Sequence, residues 1–486
     1  MAGNFMPHAS EYLRFLPEII LSVFGVVIVI LEAITSEKQK SSLGVLSVAG
    51  IAIAFAANAY AYRDRGQAFQ NMITVDGYGT FFRALVLLVG FLCILMSFSY
   101  LKRERAQTGE YYALILFSLV GQCVLATAND LIMVFIGLEI SSIATYILAG
   151  FLRDDRRNNE AALKYFLLGS FATAFLLYGI AWIYGIVGST NLDEIQARLA
   201  DQSISPALIG LAAGLMFVGF AFKVSVAPFQ VWAPDVYQGA AAPISAFMSA
   251  GPKAAAFAVF FRVFTISFGP MNDRWIYLVW GCALLSMIIG NFAALLQTNV
   301  KRLLGYSSIA HAGYILIAFT AHSQIGIAAA MFYLVSYALM NIGAFAVVSH
   351  VAARNEKYVK IDDLSGLSRR EPATAALLAI FVFSLIGVPL TGGFFAKFYI
   401  FKAALDSHLV WLTVLGLINS AIAAYYYLKI IVAIYMHEPG QAIMDLAPPS
   451  AGERAAIWGS ALGTLFLGIF PSALLSFASV SAAALR

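Results

Sequence analysis

Four ionisable residues lie deep inside long apolar stretches of the sequence, where a charge is costly. Glu139 lies in FIGLEISSIATYILAGF, Lys223 in VGFAFKVSVAPFQVW, Lys253 in SAGPKAAAFAVF and Lys397 in GVPLTGGFFAKFYIF. At the centre of a membrane-spanning helix, one ionisable side chain costs about 2.5 to 3.5 kcal/mol. These four side chains therefore need a specific partner or a specific task.

A buried lysine beside a buried glutamate can act as a proton switch. Burial in a low-dielectric medium weakens the hold of an amine on its proton, and a nearby carboxylate restores it. Movement of Glu139 towards or away from Lys223 would therefore control whether Lys223 keeps its proton. The alternative is a static pair that only neutralises its own charge. Lys253 and Lys397 have no acidic partner evident in the sequence, which favours proton exchange for both.

Three further residues are secondary candidates for a proton relay. Lys164 follows Glu160 by four residues, so it could feed protons inward or simply extend to the membrane surface beside its partner. His311, in SSIAHAGY, could relay protons because imidazole titrates near neutrality, or it could be merely packed. Lys429 lies nearer a helix end, as does Arg262, which we expect to extend to the membrane surface.

The composition places these residues in a membrane. Hydrophobic residues make up 61% of the 486 residues and charged residues 12%, and the mean hydropathy is +0.82. These values lie outside the range of soluble chains. The net charge of +4 then indicates membrane topology and not nucleic-acid binding. The first apolar stretch lacks the features of a cleaved signal peptide, so we expect an all-α polytopic membrane protein.

The apolar stretches predict about fourteen membrane-spanning helices. Their approximate ranges are 14–34, 43–61, 77–100, 111–128, 130–152, 161–187, 206–237, 241–267, 275–297, 303–321, 326–350, 373–404, 409–436 and 454–480. Predicted helix 7 contains Pro228 and predicted helix 12 contains Pro389. Because proline removes an intrahelical hydrogen bond, we expect both helices to be interrupted.

The two interrupted helices are five positions apart, which predicts a repeat of helices 4–8 in helices 9–13. Five is odd, so the copies must be inverted. The predicted organisation is three helices in 1–105, the first repeat in 106–270, the second in 271–440 and a last helix in 441–486. Glu139, Lys223 and Lys253 would then correspond to His311, Lys397 and Lys429, and the six groups could form one hydrophilic axis.

The distribution of Lys and Arg predicts the orientation. Sixteen of them fall in loops after odd-numbered predicted helices, Lys38 and Lys301 among them, and five fall after even-numbered helices, Arg274 among them. The odd-numbered loops should therefore face the cytoplasm and both termini the opposite side.

Cofactor sites are not expected in this chain. Cys93, Cys123 and Cys282 are scattered over different helices without C-x-x-C spacing, which gives no ligand set for an iron–sulfur or zinc site. Among the six histidines only His311 lies well inside a predicted helix, with His350 at a helix end, so a bis-histidine haem is not expected. The sequence contains no phosphate-binding loop and no dinucleotide fingerprint. Any redox chemistry would belong to another chain.

Several segments resemble the antiporter-like membrane subunits of proton-pumping NADH-quinone oxidoreductase, respiratory complex I. They are FKVSVAPFQVWAPDVYQGAAAPISAF, GPKAAAF, GYSSIAHAGY and LIGVPLTGGFFAKFYIF. Within this family, APDVYQG and TGGFFAKF are most similar to the subunit N branch. The resemblance covers nearly the whole chain in order.

The resemblance implies a subunit of the bacterial inner membrane that moves protons from cytoplasm to periplasm, driven by NADH:quinone electron transfer in other subunits. Glu139 and Lys223 would be the switching pair, Lys253 the central relay and Lys397 the residue leading outward. A lysine at Lys397 fits subunit N, whereas the neighbouring subunit M has glutamate there. Subunits M, J and K are the implied partners. Many relatives have histidine where this chain has Gln230, so a relay there would need water.

Two other functions fit the same features. A multisubunit cation/proton antiporter would share the fold and the buried lysines. A non-conducting scaffold subunit would share the helices but would contain no continuous proton path.

Overall fold

The computed structural model describes residues 7–36, 39–200 and 204–485, with the side chains of 272–274 left out. Twelve helices within these ranges are long and apolar enough to cross a membrane. The count is thirteen if Ala451–Ile469 and Pro471–Leu485, bent by 85° relative to each other, form one span. The prediction of an all-α polytopic membrane protein is confirmed, whereas the count of fourteen stays a prediction. Lys38 and the side chain of Arg274 lie outside the described residues.

The helices of the N-terminal part and of the first predicted repeat follow one another with short connections. They are α1 (Ala9–Arg14), α2 (Leu16–Ile34), α3 (Ser41–Ala61), α4 (Gly77–Glu104), α5 (Gly109–Thr127), α6 (Leu131–Ala149), α7 (Arg156–Val187), α8 (Leu192–Leu199), α9 (Pro206–Lys223), α10 (Trp232–Gly239) and α11 (Ala242–Ile266). Between α3 and α4, strands β1 (Gly66–Ala68) and β2 (Ile73–Val75) pair antiparallel.

The second predicted repeat and the C-terminal part have the same helical character. Their helices are α12 (Asn272–Leu295), α13 (Val300–Thr320), α14 (Gln324–Val351), α15 (Leu367–Arg370), α16 (Pro372–Ile386), α17 (Gly392–Asp406), α18 (Val410–Met436), α19 (Gln441–Met444), α20 (Ala451–Ile469) and α21 (Pro471–Ala482). Short 3₁₀ turns are Gly269–Met271, Arg354–Glu356, Ile361–Leu364 and Ala483–Leu485.

Three helices form the centre of the bundle. In each of α11, α13 and α14, 94% of the residues in an apolar 18-residue segment of the helix are buried inside the protein. In α7 and in α18 only 39% of such residues are buried, so these two helices present apolar side chains to lipid or to neighbouring proteins. Ionisable groups on α11 and α13 consequently lie in the most enclosed part of the molecule.

The first interruption separates α9 from α10 and contains Pro228. The helix ends at Lys223, Ser225 has a left-handed φ of 60°, and the chain becomes helical again at Trp232. The Trp232 indole donates a hydrogen bond of 3.0 Å to the carbonyl of Phe222. The indole also stacks on Tyr165 of α7, with ring centroids 4.5 Å apart. These contacts fix the end of α9 and so fix Lys223.

The second interruption separates α16 from α17 and contains Pro389. Gly387 has a left-handed φ of 94° and Leu390 one of 68°. This break leaves the last carbonyls of α16 without helical partners. Lys397 of α17 donates hydrogen bonds to two of these carbonyls.

Two expectations about basic residues at helix ends are wrong. Arg262 does not extend to the membrane surface, because only 1% of it is exposed and its guanidinium pairs with Asp76 at 2.9 Å. Lys301 is not a loop residue either: it lies in the first turn of α13 with no exposed surface. Its partner is Glu356, at 2.5 Å. In both cases a carboxylate from a distant part of the sequence offsets the free-energy cost of burying the positive charge.

Candidate functional site

The amine of Lys223 is held by hydroxyl groups of α6. It donates to Ser142 Oγ at 2.6 Å and to Tyr146 Oη at 3.1 Å. The rings of Tyr146 and Tyr165 lie 5.0 and 5.5 Å from the amine, within range of a cation–π attraction. Lys223 thus lies at the end of a broken helix in a polar and aromatic pocket.

Glu139 lies close to Lys223 without a direct ion pair between them. Ser142 and Tyr146 follow Glu139 by three and seven residues, so all three share one face of α6. Among the described ion pairs within 4.0 Å, none joins Glu139 to Lys223, and Glu139 Oε1 is buried without a hydrogen-bond partner. Glu139 and Lys223 are therefore close enough to interact electrostatically but do not form a direct ion pair.

Lys253 is the least exposed of the four main candidates from the sequence, which are Glu139, Lys223, Lys253 and Lys397. It is 1% exposed and follows Pro252, which lies inside α11. Its amine donates to the carbonyl of Ser308 at 2.9 Å and also to Ser308 Oγ. The ring of Tyr337 is 6.0 Å from the amine. No carboxylate among the described residues pairs with it.

His311 lies one turn after Ser308 on α13 and links two tyrosines. Its Nδ1 is 2.6 Å from Tyr333 Oη, and its Nε2 is 3.2 Å from Tyr427 Oη. Tyr427 is also hydrogen-bonded to Ser307. Because a hydroxyl can donate or accept, either tautomer of the imidazole fits this arrangement. His311 is therefore able to receive a proton at one nitrogen and release one at the other.

Lys397 satisfies the broken end of α16. Its amine donates to the carbonyls of Leu385 and Ile386 at 3.0 and 2.8 Å, and to Ser420 Oγ at 2.8 Å. A positive group at a helix C-terminus is favoured by the helix dipole. The ring of Tyr314, one turn beyond His311 on α13, is 5.3 Å from the amine. A cavity of about 500 Å³ extends from the amine towards Lys402.

Unpartnered hydroxyl groups fill the space between Lys223 and Lys253. Ser225 Oγ, Tyr237 Oη and Tyr337 Oη are buried and have no hydrogen-bond partner within 3.5 Å and with good geometry among the described residues. Tyr237 lies beside both Ser225 and Ser308, and Ser308 also lies beside Tyr337. Buried hydroxyl groups are normally satisfied, by water where protein provides no partner. This cluster therefore provides sites for ordered water between the two lysines.

Lys164 belongs to a half-exposed ionic cluster and not to this buried row. Its amine is 2.6 Å from Glu160 Oε1 and 2.7 Å from Asp235 Oδ2, and 40% of its side chain is exposed. Arg302 contacts the other oxygen of Asp235 at 2.7 Å. The cluster ties α7 and α13 to the short helix α10.

Lys429 does not occupy a position equivalent to Lys253. It lies 19 residues after the start of α18 at Val410, whereas Lys253 lies 11 residues after the start of α11 at Ala242. The difference is about 12 Å along a helix. The half-buried amine contacts the carbonyl of Leu295 at 3.3 Å. The second half therefore contributes two deeply buried titratable groups to the predicted axis and not three.

Several buried charges were not identified from the sequence. Arg83 and Glu18 pair at 2.6 Å, both with no exposed side-chain surface. His350 lies 3.2 Å from Glu371 and 3.7 Å from Glu453. Glu18 had a recognisable signal, because it interrupts an apolar run. The partners of His350 lie at the starts of other helices, where a carboxylate is unremarkable in a sequence.

Comparison with known proteins places the chain in a family. The model for the transmembrane part of NADH:quinone oxidoreductase and Mrp antiporters matches residues 128–423. NADH-quinone oxidoreductase subunit N 1 of Solibacter usitatus (strain Ellin6076) is 60% identical over 478 residues, 98% of each chain. A chain of respiratory complex I from Thermus thermophilus superposes with a TM-score of 0.81 at 34% identity, covering 95% of this chain and 98% of that one.

A chain of the Mrp complex from Dietzia sp. DQ12-45-1b has a TM-score of 0.85 at 21% identity, covering 97% of each chain. That similarity establishes a shared fold only. The identities and the coverage of the other relatives establish more. The chain belongs to the subunit N family of NADH-quinone oxidoreductases, among the antiporter-like membrane subunits of complex I.

Proposed function

We propose that this chain conducts protons across the membrane through the buried row that runs from Glu139 and Lys223, through Lys253 and His311, to Lys397. The observation that carries the proposal is the environment of Lys253 and Lys397. Both amines are almost fully buried, neither has a carboxylate partner among the described residues, and each is held by hydroxyl and carbonyl groups. Groups held in this way can exchange protons instead of being locked in an ion pair.

Glu139 and Lys223 act as the switch at the start of the row. Lys223 donates to Ser142 and Tyr146 on the helix face that also contains Glu139, so a displacement of α6 or of the end of α9 would close or open the pair. Closing favours a protonated Lys223, and opening releases its proton towards the hydroxyl cluster around Tyr237. The orphaned oxygen of Glu139 supports a mobile role for this carboxylate.

The central part of the path runs along α13. Lys253 contacts Ser308, one turn before His311, and Tyr314 lies one turn after His311, beside Lys397. Side chains at these spacings share a helix face. The imidazole receives a proton from the side of Lys253 and releases one towards Lys397 through the tyrosine hydroxyl groups, with water at the positions where those groups lack partners.

The proposed direction is from the cytoplasm to the periplasm of a bacterial inner membrane, with both termini periplasmic. The excess of Lys and Arg in the odd-numbered loops supports this orientation. The cavity beside Lys397 is the proposed outward opening. The energy for proton transport comes from NADH:quinone electron transfer in other subunits. Subunits M, J and K are the proposed membrane neighbours. No cofactor is proposed for this chain.

A multisubunit cation/proton antiporter is the second candidate, supported by the similarity of fold to the Mrp complex chain. The 60% identity to a subunit N favours the first function. A purely structural subunit is the third candidate, and it predicts that the buried row can be altered without loss of transport.

The test is proton pumping by the assembled complex in proteoliposomes carrying Lys223→Ala, with NADH:quinone reductase activity and assembly measured in parallel. We expect the complex to assemble while pumping and coupled turnover collapse. Wild-type pumping in this variant would contradict the switch and favour a structural role. Sodium-dependent transport without electron transfer would favour the antiporter.

A further inference from the structure

A buried ion pair lies at the start of the helix that contains Lys253. The amine of Lys301 is 2.5 Å from Glu356 Oε2, and Lys301 has no exposed surface. The other oxygen of Glu356 accepts hydrogen bonds from the backbone nitrogen of Ala242 at 2.7 Å and from Tyr100 Oη at 3.0 Å. The pair therefore joins α4, the start of α11, the start of α13 and the turn after α14.

Two serine residues of α11 lie between this pair and Lys253, and their hydroxyl groups donate to backbone carbonyls. Lys301 Nζ and Ser245 Oγ donate to the same acceptor, the carbonyl of Ala240, at 2.5 and 3.4 Å. Ser245, Ser249 and Lys253 follow one another at intervals of four residues. They consequently form a polar stripe on one face of α11, with one group at each turn.

A second helix contributes an unsatisfied polar atom to this stripe. Asn341 of α14 donates its amide to Ser249 Oγ at 2.6 Å. Its Oδ1 is buried and has no hydrogen-bond partner among the residues that the structure describes. An orphaned acceptor at this depth indicates a place for a water molecule between the serines. Polar groups and one water site thus extend from Lys301 to Lys253.

The outer side of the pair is close to solvent. Glu356 lies in the turn Arg354–Glu356, where Arg354 and Asn355 are exposed and Lys357 follows, also exposed. Arg157 donates to the carbonyl of Asn355 at 2.7 Å, which anchors the turn. The Glu356 side chain is itself 9% exposed, so its carboxylate lies at the boundary between the buried pair and the solvent.

We propose that the Lys301–Glu356 pair loads protons from the adjoining solvent into the serine stripe and hence onto Lys253. This inference rests on the proton transport proposed above and adds the residues through which the central lysine is supplied. Glu356 lies in the loop after predicted helix 11, which is the loop between α14 and α16. In the proposed orientation this loop faces the cytoplasm, so the adjoining solvent is that of the cytoplasmic side.

The transfer balances with water as the only additional participant. Glu356 first takes a proton from water on the solvent side, which removes the negative charge beside Lys301. The Lys301 ammonium then releases a proton to the stripe, where each hydroxyl or water accepts one proton and releases another until the neutral amine of Lys253 is protonated. Glu356 finally passes its proton to the neutral amine of Lys301. The ion pair is restored, and one proton has moved from solvent to Lys253.

Other charged groups surround the pair. Arg157 of α7 pairs at 2.8 Å with Asp155, the residue immediately before that helix. At the end of α4, Glu104 accepts from the backbone nitrogen of Asn355 at 3.0 Å, and Arg103 lies 3.7 Å from Glu104. These groups are engaged with one another or with backbone, so they do not replace the contact between Lys301 and Glu356.

The competing explanation is that the pair only stabilises the junction of four elements. Removing one partner of a buried pair leaves an uncompensated charge, whereas replacing both partners by neutral groups of similar size is often tolerated. The double variant Lys301→Met/Glu356→Gln is therefore informative. The glutamine keeps an acceptor for Ala242 and Tyr100 while the pair loses both charges.

The experiment measures proton pumping and coupled NADH:quinone turnover of the assembled complex in proteoliposomes. We expect the double variant to assemble, with both rates lowered on the order of tenfold or more. Because proton delivery becomes limiting, lowering the pH on the loading side should partly restore turnover in this variant but not in the wild type. The matched control is Arg369→Met/Glu438→Gln, which removes an exposed pair and should leave both rates unchanged.

Normal pumping by an assembled Lys301→Met/Glu356→Gln complex would overturn the proposal. If that complex fails to assemble, Ser245→Ala/Ser249→Ala decides, because it breaks the stripe and leaves the pair intact: lost pumping supports the proposal and normal pumping overturns it. Lys253→Met is measured alongside. If it blocks pumping while the stripe variants do not, only the loading route is wrong, and if it pumps normally, the proposed function itself fails.

Discussion

At the scale of single residues, the structure contains two kinds of buried charge, those paired with a carboxylate and those held by neutral groups. Arg83 and Arg262 each have a carboxylate within 3 Å. Among the described residues, the amines of Lys253 and Lys397 form hydrogen bonds with hydroxyl and carbonyl groups only. An ionised carboxylate at contact distance favours the charged form of a basic group, so a lysine without one, or beside a carboxylate that has itself been protonated, releases its proton more readily.

His311 gives the first prediction at this scale. His311→Gln keeps a hydrogen-bonding group between Tyr333 and Tyr427 but cannot accept a proton at one nitrogen and release one at another. We expect normal assembly and a decrease in pumping on the order of tenfold or more, measured in proteoliposomes with quinone reductase activity in parallel. His437→Gln, at an exposed position after α18, is the control. Wild-type pumping in His311→Gln would show that the histidine is only packed.

At the scale of elements, the two broken helices place amines at positions that continuous helices would not reach. Lys223 lies where α9 ends, and Lys397 extends from α17 to the open carbonyls of α16. The breaks therefore create polar surroundings at membrane depth without a carboxylate. In this arrangement the backbone itself solvates the amine.

Gly387 gives the prediction at the element scale. Its φ of 94° disfavours other residues, and a Cβ there would lie 3.0 Å from Lys397 Cδ. We expect Gly387→Ala to destabilise the protein by about 1 to 3 kcal/mol and to reduce pumping, as measured by thermal unfolding and by proteoliposome assays. Gly185→Ala is the control, because no atom of the described residues lies within 4 Å of its added Cβ. Equal stability and pumping in both variants would contradict a role for the break geometry.

At the scale of the whole molecule, buried ion pairs near helix ends determine which helices meet. Glu18 of α2 and Arg83 of α4 are fully buried and 2.6 Å apart. Such a pair adds little stability over a well-packed apolar pair, but the loss of one partner is costly. The pair therefore specifies which surfaces of α2 and α4 meet.

The corresponding prediction compares a single and a double variant. Glu18→Leu should destabilise the protein by about 3 to 5 kcal/mol, because Arg83 is left buried without a counter-charge. Glu18→Leu/Arg83→Met should recover most of that loss. The measurement is the thermal stability of the purified subunit or complex in detergent. A single variant as stable as the wild type would contradict this account.

The sequence predicts the fold class and both helix breaks, because apolar run length and proline act locally. It also predicts the burial of Lys253 and Lys397, since both lie in the middle of such runs. The pairings of Arg262 with Asp76 and of Lys301 with Glu356 could not be predicted, because each joins parts of the chain that only tertiary folding brings together. Lys429 was misplaced for a related reason: the repeat predicts an order of helices but not the depth of a residue within them.

In the proposed path, protons cross the membrane through Lys253 and not merely near it. The most direct test compares Lys253→Met with Lys429→Met in the assembled complex, measuring protons pumped per NADH oxidised in proteoliposomes. Both changes remove one amine and keep a side chain of similar length. We expect Lys253→Met to lower pumping and coupled turnover sharply and Lys429→Met to leave both near wild-type values. Equal, unimpaired pumping in the two variants would contradict it.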